Sequence, residues 1–259
     1  MKDEGSIGWD ATQYHQVSDP QWRWGIRVLE RLEPDPGEQI LDLGCGTGRL
    51  TSEIPARPSG AIVIGIDRSL AMLSKAREHF SSVAAFAQAD GTALPFGSCF
   101  DAVFSTATFH WIKDHDLLFA EIHRVLKPGG RLISQCGGGP NLERLYRSAR
   151  ELRASPRFRE YFAGWVEPLN FESVEPTRAR LERIGFTDIH TWLESAATAF
   201  TSTEAYERFV TTVCLRHDLE RLPDALRPSF AHEIAIAAAQ DDPPLTLDYW
   251  RLNVDARKP

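Results

Sequence analysis

The chain has 259 residues, 42% of them hydrophobic and 25% charged, with a formal net charge of -7. That length suits one large domain, or one domain with an appended cap, around a substantial core, and the composition is ordinary for a soluble globular protein. The acidic balance argues against a nucleic-acid surface, which needs clustered Lys and Arg.

In chain order, the first distinctive segment is 9–24, rich in aromatics (Trp9, Tyr14, Trp22, Trp24). It reads as an N-terminal helix packing on a sheet edge. A first strand is predicted over 39–43, and a helix-like run, 49–54, follows a glycine-rich turn. The apolar run 61–66 reads as a parallel strand buried on both faces. Ser69 can cap a helix over 70–80, where Leu70, Leu73, Arg77 and Phe80 share a face. Strands are predicted over 83–88 and 100–105, then a helix over 117–126 stopped by Pro128-Gly129-Gly130, then a strand over 131–136. Strands alternating with helices imply right-handed crossovers and a parallel sheet.

Beyond Cys136 the pattern changes. Gly137-Gly138-Gly139-Pro140 reads as a flexible break. Helices are predicted over 141–154, 156–164, 177–184, 202–216 and 224–239, with strands over 187–193 and 245–254. Cys45, Cys99, Cys136 and Cys214 form no C-x-x-C pair, so neither a zinc site nor a disulfide framework is expected. A reduced, cytoplasmic compartment is the expectation. Residues 1–5 show no apolar signal segment, and no run approaches the roughly 18 apolar residues of a membrane span.

The chemistry concentrates at Asp42-Leu43-Gly44-Cys45-Gly46-Thr47-Gly48. Glycine has no Cβ, so backbone there can approach a ligand closely. In open parallel sheets ligands settle past the carboxyl ends of the strands, where this turn lies. A dinucleotide fingerprint, G-x-G-x-x-G, would place the third glycine one residue later. With the third glycine early and Asp42 two residues before the first, a zwitterionic ligand with an amino group fits better than a pyrophosphate. The plain alternative is a turn that merely needs glycine. Asp67 stands 23 residues past Gly44, near the distance at which an acid accepts from ribose hydroxyls. It also suits the start of the following helix electrostatically. Asp90-Gly91 on its own is a turn signal.

These residues, with Leu94-Pro95-Phe96, Phe109-His110-Trp111 and Leu126-Lys127-Pro128-Gly129-Gly130, resemble the class I S-adenosylmethionine-dependent methyltransferases. Within that family the likeness is to the trans-aconitate and malonyl-carrier-protein carboxyl O-methyltransferases. It covers roughly residues 9–136 and is diffuse beyond. The resemblance implies a Rossmann-like, doubly wound α/β fold with a seven-stranded sheet, the last strand antiparallel between the fifth and sixth. It implies one domain with lid helices over 1–36, a cofactor-binding half over 37–136, and a remainder over 137–259 whose helical cap forms the acceptor pocket.

S-adenosyl-L-methionine would be held, without a metal, by Tyr14, Asp42, Gly44, Cys45, Gly46, Gly48, Asp67, Arg68, Met72, Asp90, Gly91 and Thr106. Leu70 and Met72 would pack on adenine, and Asp90 would accept from its exocyclic amine. Tyr14 would close a lid, with His15 and Gln16 facing the acceptor. His110 and Trp111 would meet the acceptor just past the fourth strand. His110 reads as a general base, as a donor orienting a carboxylate, or as a structural helix-start histidine. Arg144, Arg147 and Arg251 could each hold an anion. The acceptor is expected to be a small molecule, a carboxylic acid ahead of a phenolic, quinone or natural-product hydroxyl or carbon. An NAD(P)-dependent oxidoreductase and a non-catalytic cofactor-binding protein are the alternatives from other classes.

Overall fold

The computed structural model describes residues 19–56 and 60–259. Trp9, Tyr14, His15 and Gln16, with most of the expected lid, lie outside the described residues.

Seven strands form one sheet in the order β3-β2-β1-β4-β5-β9-β6. They are β1 (Gln39–Leu43), β2 (Ile62–Asp67), β3 (Ala85–Gln88), β4 (Phe100–Thr106), β5 (Leu126–Gly137), β6 (Thr187–Ser195) and β9 (Trp250–Arg257), while β7 (Thr198–Ala199) and β8 (Thr246–Leu247) pair separately. Neighbours from β3 to β5 are parallel, and β9 runs antiparallel to both β5 and β6. This is the expected Rossmann-like arrangement, with the last strand inserted between the fifth and sixth. One consequence positions the site: β9 starts at the end of the sheet where the parallel strands finish, so Arg251 pairs in register with Gly137.

One face of the sheet is covered by the helices His115–Val125 and Val174–Ile184, whose Leu118, Phe119, Ile122 and Leu181 join Leu41, Val103 and Leu132 in one core. On the other face the helix Asp19–Leu32 buries Val28, Leu29 and Leu32 against Ile40, Phe104 and Ile133. A third cluster joins the helices Glu143–Ala154, Thr203–Val213 and Arg227–Ala238 through Tyr146, Phe158, Tyr206, Phe230 and Ile234.

Several sequence expectations are corrected. The run 49–54 forms only a 3-10 turn, Thr51–Glu53. Pro55 lacks the amide that would extend it, and Thr51 turns inward to Asp42. In the helix Leu70–Phe80 the buried face is Met72, Leu73 and Ala76, whereas Leu70 is 59% exposed. The segment 156–164 is a series of turns, with Tyr161 N–H bonded to Phe158 O and Phe162 N–H to Arg159 O, three residues back rather than four. The predicted helix 202–216 breaks after Val213 and restarts as Arg216–Arg221. The stretch 245–254 is the short β8 followed by β9. The glycine tract is tightly packed rather than loose: a Cβ on Gly138 would lie 2.5 Å from Leu252 Cβ, and one on Gly137 2.8 Å from Phe171 Cε1.

Candidate active site

The glycine turn is bound to the end of β2. Gly44 and Cys45 N–H both donate to Ile66 O, at 2.8 and 2.9 Å. Gly46 N–H donates to Asp67 Oδ2 at 2.9 Å, and Ser69 N–H to Asp67 Oδ1 at 2.8 Å. One carboxylate thus fixes both the turn and the start of the next helix, while Ser69 Oγ caps that helix by accepting from Met72 N–H. Gly44, Gly46 and Gly48 all have positive φ, where L side chains are strained. A Cβ on Gly44 would fall 2.0 Å from Thr108 Oγ1, and one on Gly48 3.0 Å from the Phe86 ring, but one on Gly46 would meet nothing within 4 Å among the described residues. The turn therefore rests against the segment after β4 and against β3 at two glycines, while at the third no described residue fills the space.

Asp42, 2% exposed, takes a 2.6 Å hydrogen bond from Thr51 Oγ1. Burial pushes its pKa up to about 7, and the nearby Asp67 charge adds to that. Asp67 is also raised, mainly by burial. Two acids whose charge is disfavoured beside an open turn fit a ligand bearing an ammonium group, which would relieve both. Cys45, beside them, ties the turn to β2 through its N–H to Ile66 O, and burial holds its thiol well above the ordinary range.

The remaining predicted cofactor residues are placed as follows. Asp90 Oδ1 accepts from Thr92 N–H and Thr92 Oγ1, an Asx turn that holds the loop, and Arg68 approaches Asp90 Oδ2 at 3.6 Å. Gly91 is close-packed, its absent Cβ leaving room for Ile112 Cδ1. Met72 is 5% exposed and Leu70 presents its side chain outward from the same first turn after Asp67. Thr106 ends β4, and its carbonyl accepts from Thr108 Oγ1, which also reaches Gly44 O. The structure thus brings Asp42, Gly44–Gly48, Asp67 and Thr106 together around the ends of β1, β2 and β4.

His110 sits in a 3-10 turn, Phe109–Trp111, directly after β4. Its Nδ1 accepts from Gly137 N–H at 3.2 Å, so in the neutral ring the proton is on Nε2. Burial first, then the positive Arg251, push its pKa down to about 3. Trp111 lies 5.3 Å from the His110 ring and 5.6 Å from His217, and Phe171 lies 5.8 Å from His110. Trp24 makes an edge contact with Tyr249 at 5.0 Å and stacks under Arg251 at 4.8 Å. Trp22 stacks under Arg49, just past the glycine turn, at 4.9 Å. Sequence reasoning did not find Thr51, Phe171 or His217, which come from segments with no motif of their own, and it read Gly137 as part of a flexible break rather than as the donor to His110. Arg144 and Arg147 are engaged with Asp248 and Asp241.

The sheet order, the glycine turn after β1 and the acid ending β2 define a Rossmann-like cofactor-binding domain of the methyltransferase type. The comparisons agree. A family described as "Methyltransferase domain" matches residues 41–134. Trans-aconitate 2-methyltransferase of Methylobacterium nodulans is 32% identical over 189 residues, 73% of this chain and 68% of that protein. The enzyme of the same name from Deinococcus radiodurans is 39% identical over 128 residues, which span 49% of this chain and about half, 48%, of that protein. Among solved structures, phosphoethanolamine N-methyltransferase 2 of Haemonchus contortus, in complex with S-adenosylhomocysteine, matches with a TM-score of 0.63 at 23% identity. That match covers 96% of this chain and 57% of the other, and it bears on the fold. The chain belongs to the class I S-adenosylmethionine-dependent methyltransferases.

Proposed function

We propose that this protein transfers a methyl group from S-adenosyl-L-methionine to a carboxylate of a small-molecule acceptor. The observation that carries the acceptor side is the state of His110. A ring whose pKa is held near 3 is a poor proton acceptor at neutral pH, and a carboxylate, already a nucleophile, needs none. With Nδ1 occupied by Gly137 N–H, the ring offers Nε2–H as a donor that can orient one carboxylate oxygen.

When bound, the cofactor supplies a methyl group on a sulfonium sulfur, and its transfer makes one C–O bond, breaks one C–S bond, leaves the pair on sulfur and moves no proton. On this reading Asp42 and Asp67 receive the cofactor's ammonium and ribose, and the opening at Gly46 admits it. Leu70 and Met72 flank the adenine, and Asp90 meets its amine. The 137–259 half supplies the acceptor pocket. The names of the relatives, which methylate an organic acid, support the carboxylate class. The free thiols of Cys45, Cys99, Cys136 and Cys214 support a reducing, cytoplasmic setting. Among the described residues no helix is long and apolar enough to cross a membrane.

The test is calorimetry with S-adenosylmethionine and with NAD, followed by transfer of labelled methyl to a panel of acids, phenols and quinone precursors. Binding of S-adenosylmethionine, with label released from the product as methanol by mild base, is expected. Label confined to phenols or carbon acids overturns the carboxylate reading, and binding of NAD alone overturns the whole.

A further inference from the structure

We infer that His115 is a positioning residue for the transfer: from behind the turn Phe109–Trp111 it fixes the backbone so that His110 presents its Nε2–H to the acceptor. This rests on the reading of His110 as the group that orients the carboxylate.

His110 has no long element to hold it. It lies in a single 3-10 turn between β4 and the helix His115–Val125, and so short a run leaves backbone groups to be satisfied from outside. Its own carbonyl accepts from Asn170 N–H at 2.9 Å, and its Nδ1 accepts from Gly137 N–H at 3.2 Å. A bond of that length has little reach to spare, so about 0.5 Å of drift in the turn would lose it. Both of these donors are backbone amides. A side chain holds the turn as well: His115 Nε2 lies 2.9 Å from Phe109 O. The same carbonyl closes the turn by accepting from Ile112 N–H at 2.9 Å.

The helix His115–Val125 delivers that nitrogen. Side chains lean toward a helix's N-terminus, so from the first helical position the imidazole reaches back over the link 112–114. Asp114 fixes the start of the helix by accepting from Leu117 N–H at 2.9 Å. The His115 ring is 3% exposed and lies 5.8 Å from Phe119, which is itself 5.6 Å from Phe109. Burial pushes its pKa below the ordinary histidine value. A carbonyl only accepts, so in the neutral ring the proton is on Nε2. Nδ1 is then a buried acceptor with no hydrogen-bond partner among the described residues, and leaving it so is costly. Packing alone would be better served by a phenyl ring. What the imidazole adds is the bond to Phe109 O, one residue before His110.

The test compares His115→Phe, which keeps a ring and deletes the donor, with His115→Gln, whose amide nitrogen can stand in for Nε2. Kinetics use the best acceptor among trans-aconitate, phenylacetate, cinnamate and octanoate. His115→Phe is expected to raise the KM of that acid by roughly 5- to 10-fold, with kcat lowered by less than about twofold and S-adenosylmethionine affinity by calorimetry unchanged. His115→Gln is expected to return to within about threefold of the wild type, because it restores a donor. In a His110→Ala background, His115→Phe is expected to add no more than about twofold to KM, since two residues acting through one contact are not additive. A lower Tm in His115→Phe at unchanged KM overturns the inference, and so does a full further rise in the double variant. Nitrogen-15 spectra of wild-type histidines need neither a variant nor an acceptor. They are expected to show His115 as the Nε2–H tautomer with a slowly exchanging proton, and an Nδ1–H tautomer or a charged ring at neutral pH overturns the inference. If His110→Ala leaves the acceptor KM unchanged, the parent reading falls and this one with it. If His110→Ala raises KM and His115→Phe does not, only the role of His115 falls.

Discussion

At the scale of single residues, His110 decides between two kinds of acceptor chemistry. Its protonation is opposed by burial and by Arg251, and Gly137 N–H occupies the nitrogen that a base would use. The folded protein holds this ring neutral where the unfolded chain would protonate it. Falling pH therefore removes stability through this group between the ordinary histidine value of about 6.5 and about 3. The same fact sets an expectation for catalysis. At saturating cofactor, turnover of a carboxylic acid should show no histidine inflection between pH 5.5 and 8. His110→Ala should raise the acceptor KM by roughly tenfold or more, the worth of one hydrogen bond to a charged group, while kcat falls only slightly. Steady-state kinetics across that pH range reads both. A thousandfold drop in kcat at constant KM, with a bell-shaped profile in the wild type, would make His110 a base after all.

At the scale of elements, the turn after β1 separates binding from stability. Gly44 is needed by the protein itself, since a Cβ there collides with Thr108. Gly46 has φ +54, and among the described residues nothing lies within 4 Å of a Cβ there, so these residues require only its backbone angle. Gly46→Ala should therefore cost about 1–2 kcal/mol of stability, the left-handed penalty, yet lose cofactor affinity by more than about tenfold, because its methyl fills space the ligand needs. Gly44→Ala should destabilise more than Gly46→Ala does. Thermal melts paired with calorimetry test the contrast, and a Gly46→Ala protein that binds cofactor normally would move the ligand off this turn.

The turn was legible in the sequence because glycines and acids announce themselves at fixed offsets from a strand. The Ser69 cap and the Gly185 stop, with φ +106, were legible for the same local reason. What escaped depends on partners distant in sequence. Leu126 to Gly130 extend β5 because Gly129 and Gly130 pair with Lys258. The 137–139 glycines are packing positions for Phe171 and Leu252. Arg251 could be named as an anion candidate from sequence, but only the strand order sets it beside Gly137 and His110.

At the scale of the whole molecule, the helical cluster beyond β5 encloses buried charges of its own, Arg153 and Asp218. Asp218, on the helix Arg216–Arg221, is 3% exposed and lies 3.6 Å from the buried Arg153, while its Oδ1 has no hydrogen-bond partner among the described residues. Burial pushes its pKa up to about 7, Arg153 only partly opposing and Glu167 reinforcing the rise. The native state therefore holds a proton on Asp218 over a range where the unfolded chain, at the ordinary value of 3.8, has released it. Stability from this group is greatest at the acid end of that window, falls as pH rises toward about 7, and levels off above it. Asp218→Asn cannot titrate and keeps an amide in the same place. The stability of the wild type relative to Asp218→Asn should thus decline by about 2 kcal/mol between pH 5 and pH 8. Each kcal/mol corresponds to roughly 2–4 °C in Tm for a chain of this size. Melting curves of both proteins at four pH values in that interval measure the difference directly, with the many other titrating groups cancelling. Parallel curves for the two proteins would mean that Asp218 is charged in the folded state at pH 5, and that Arg153 compensates its burial in full.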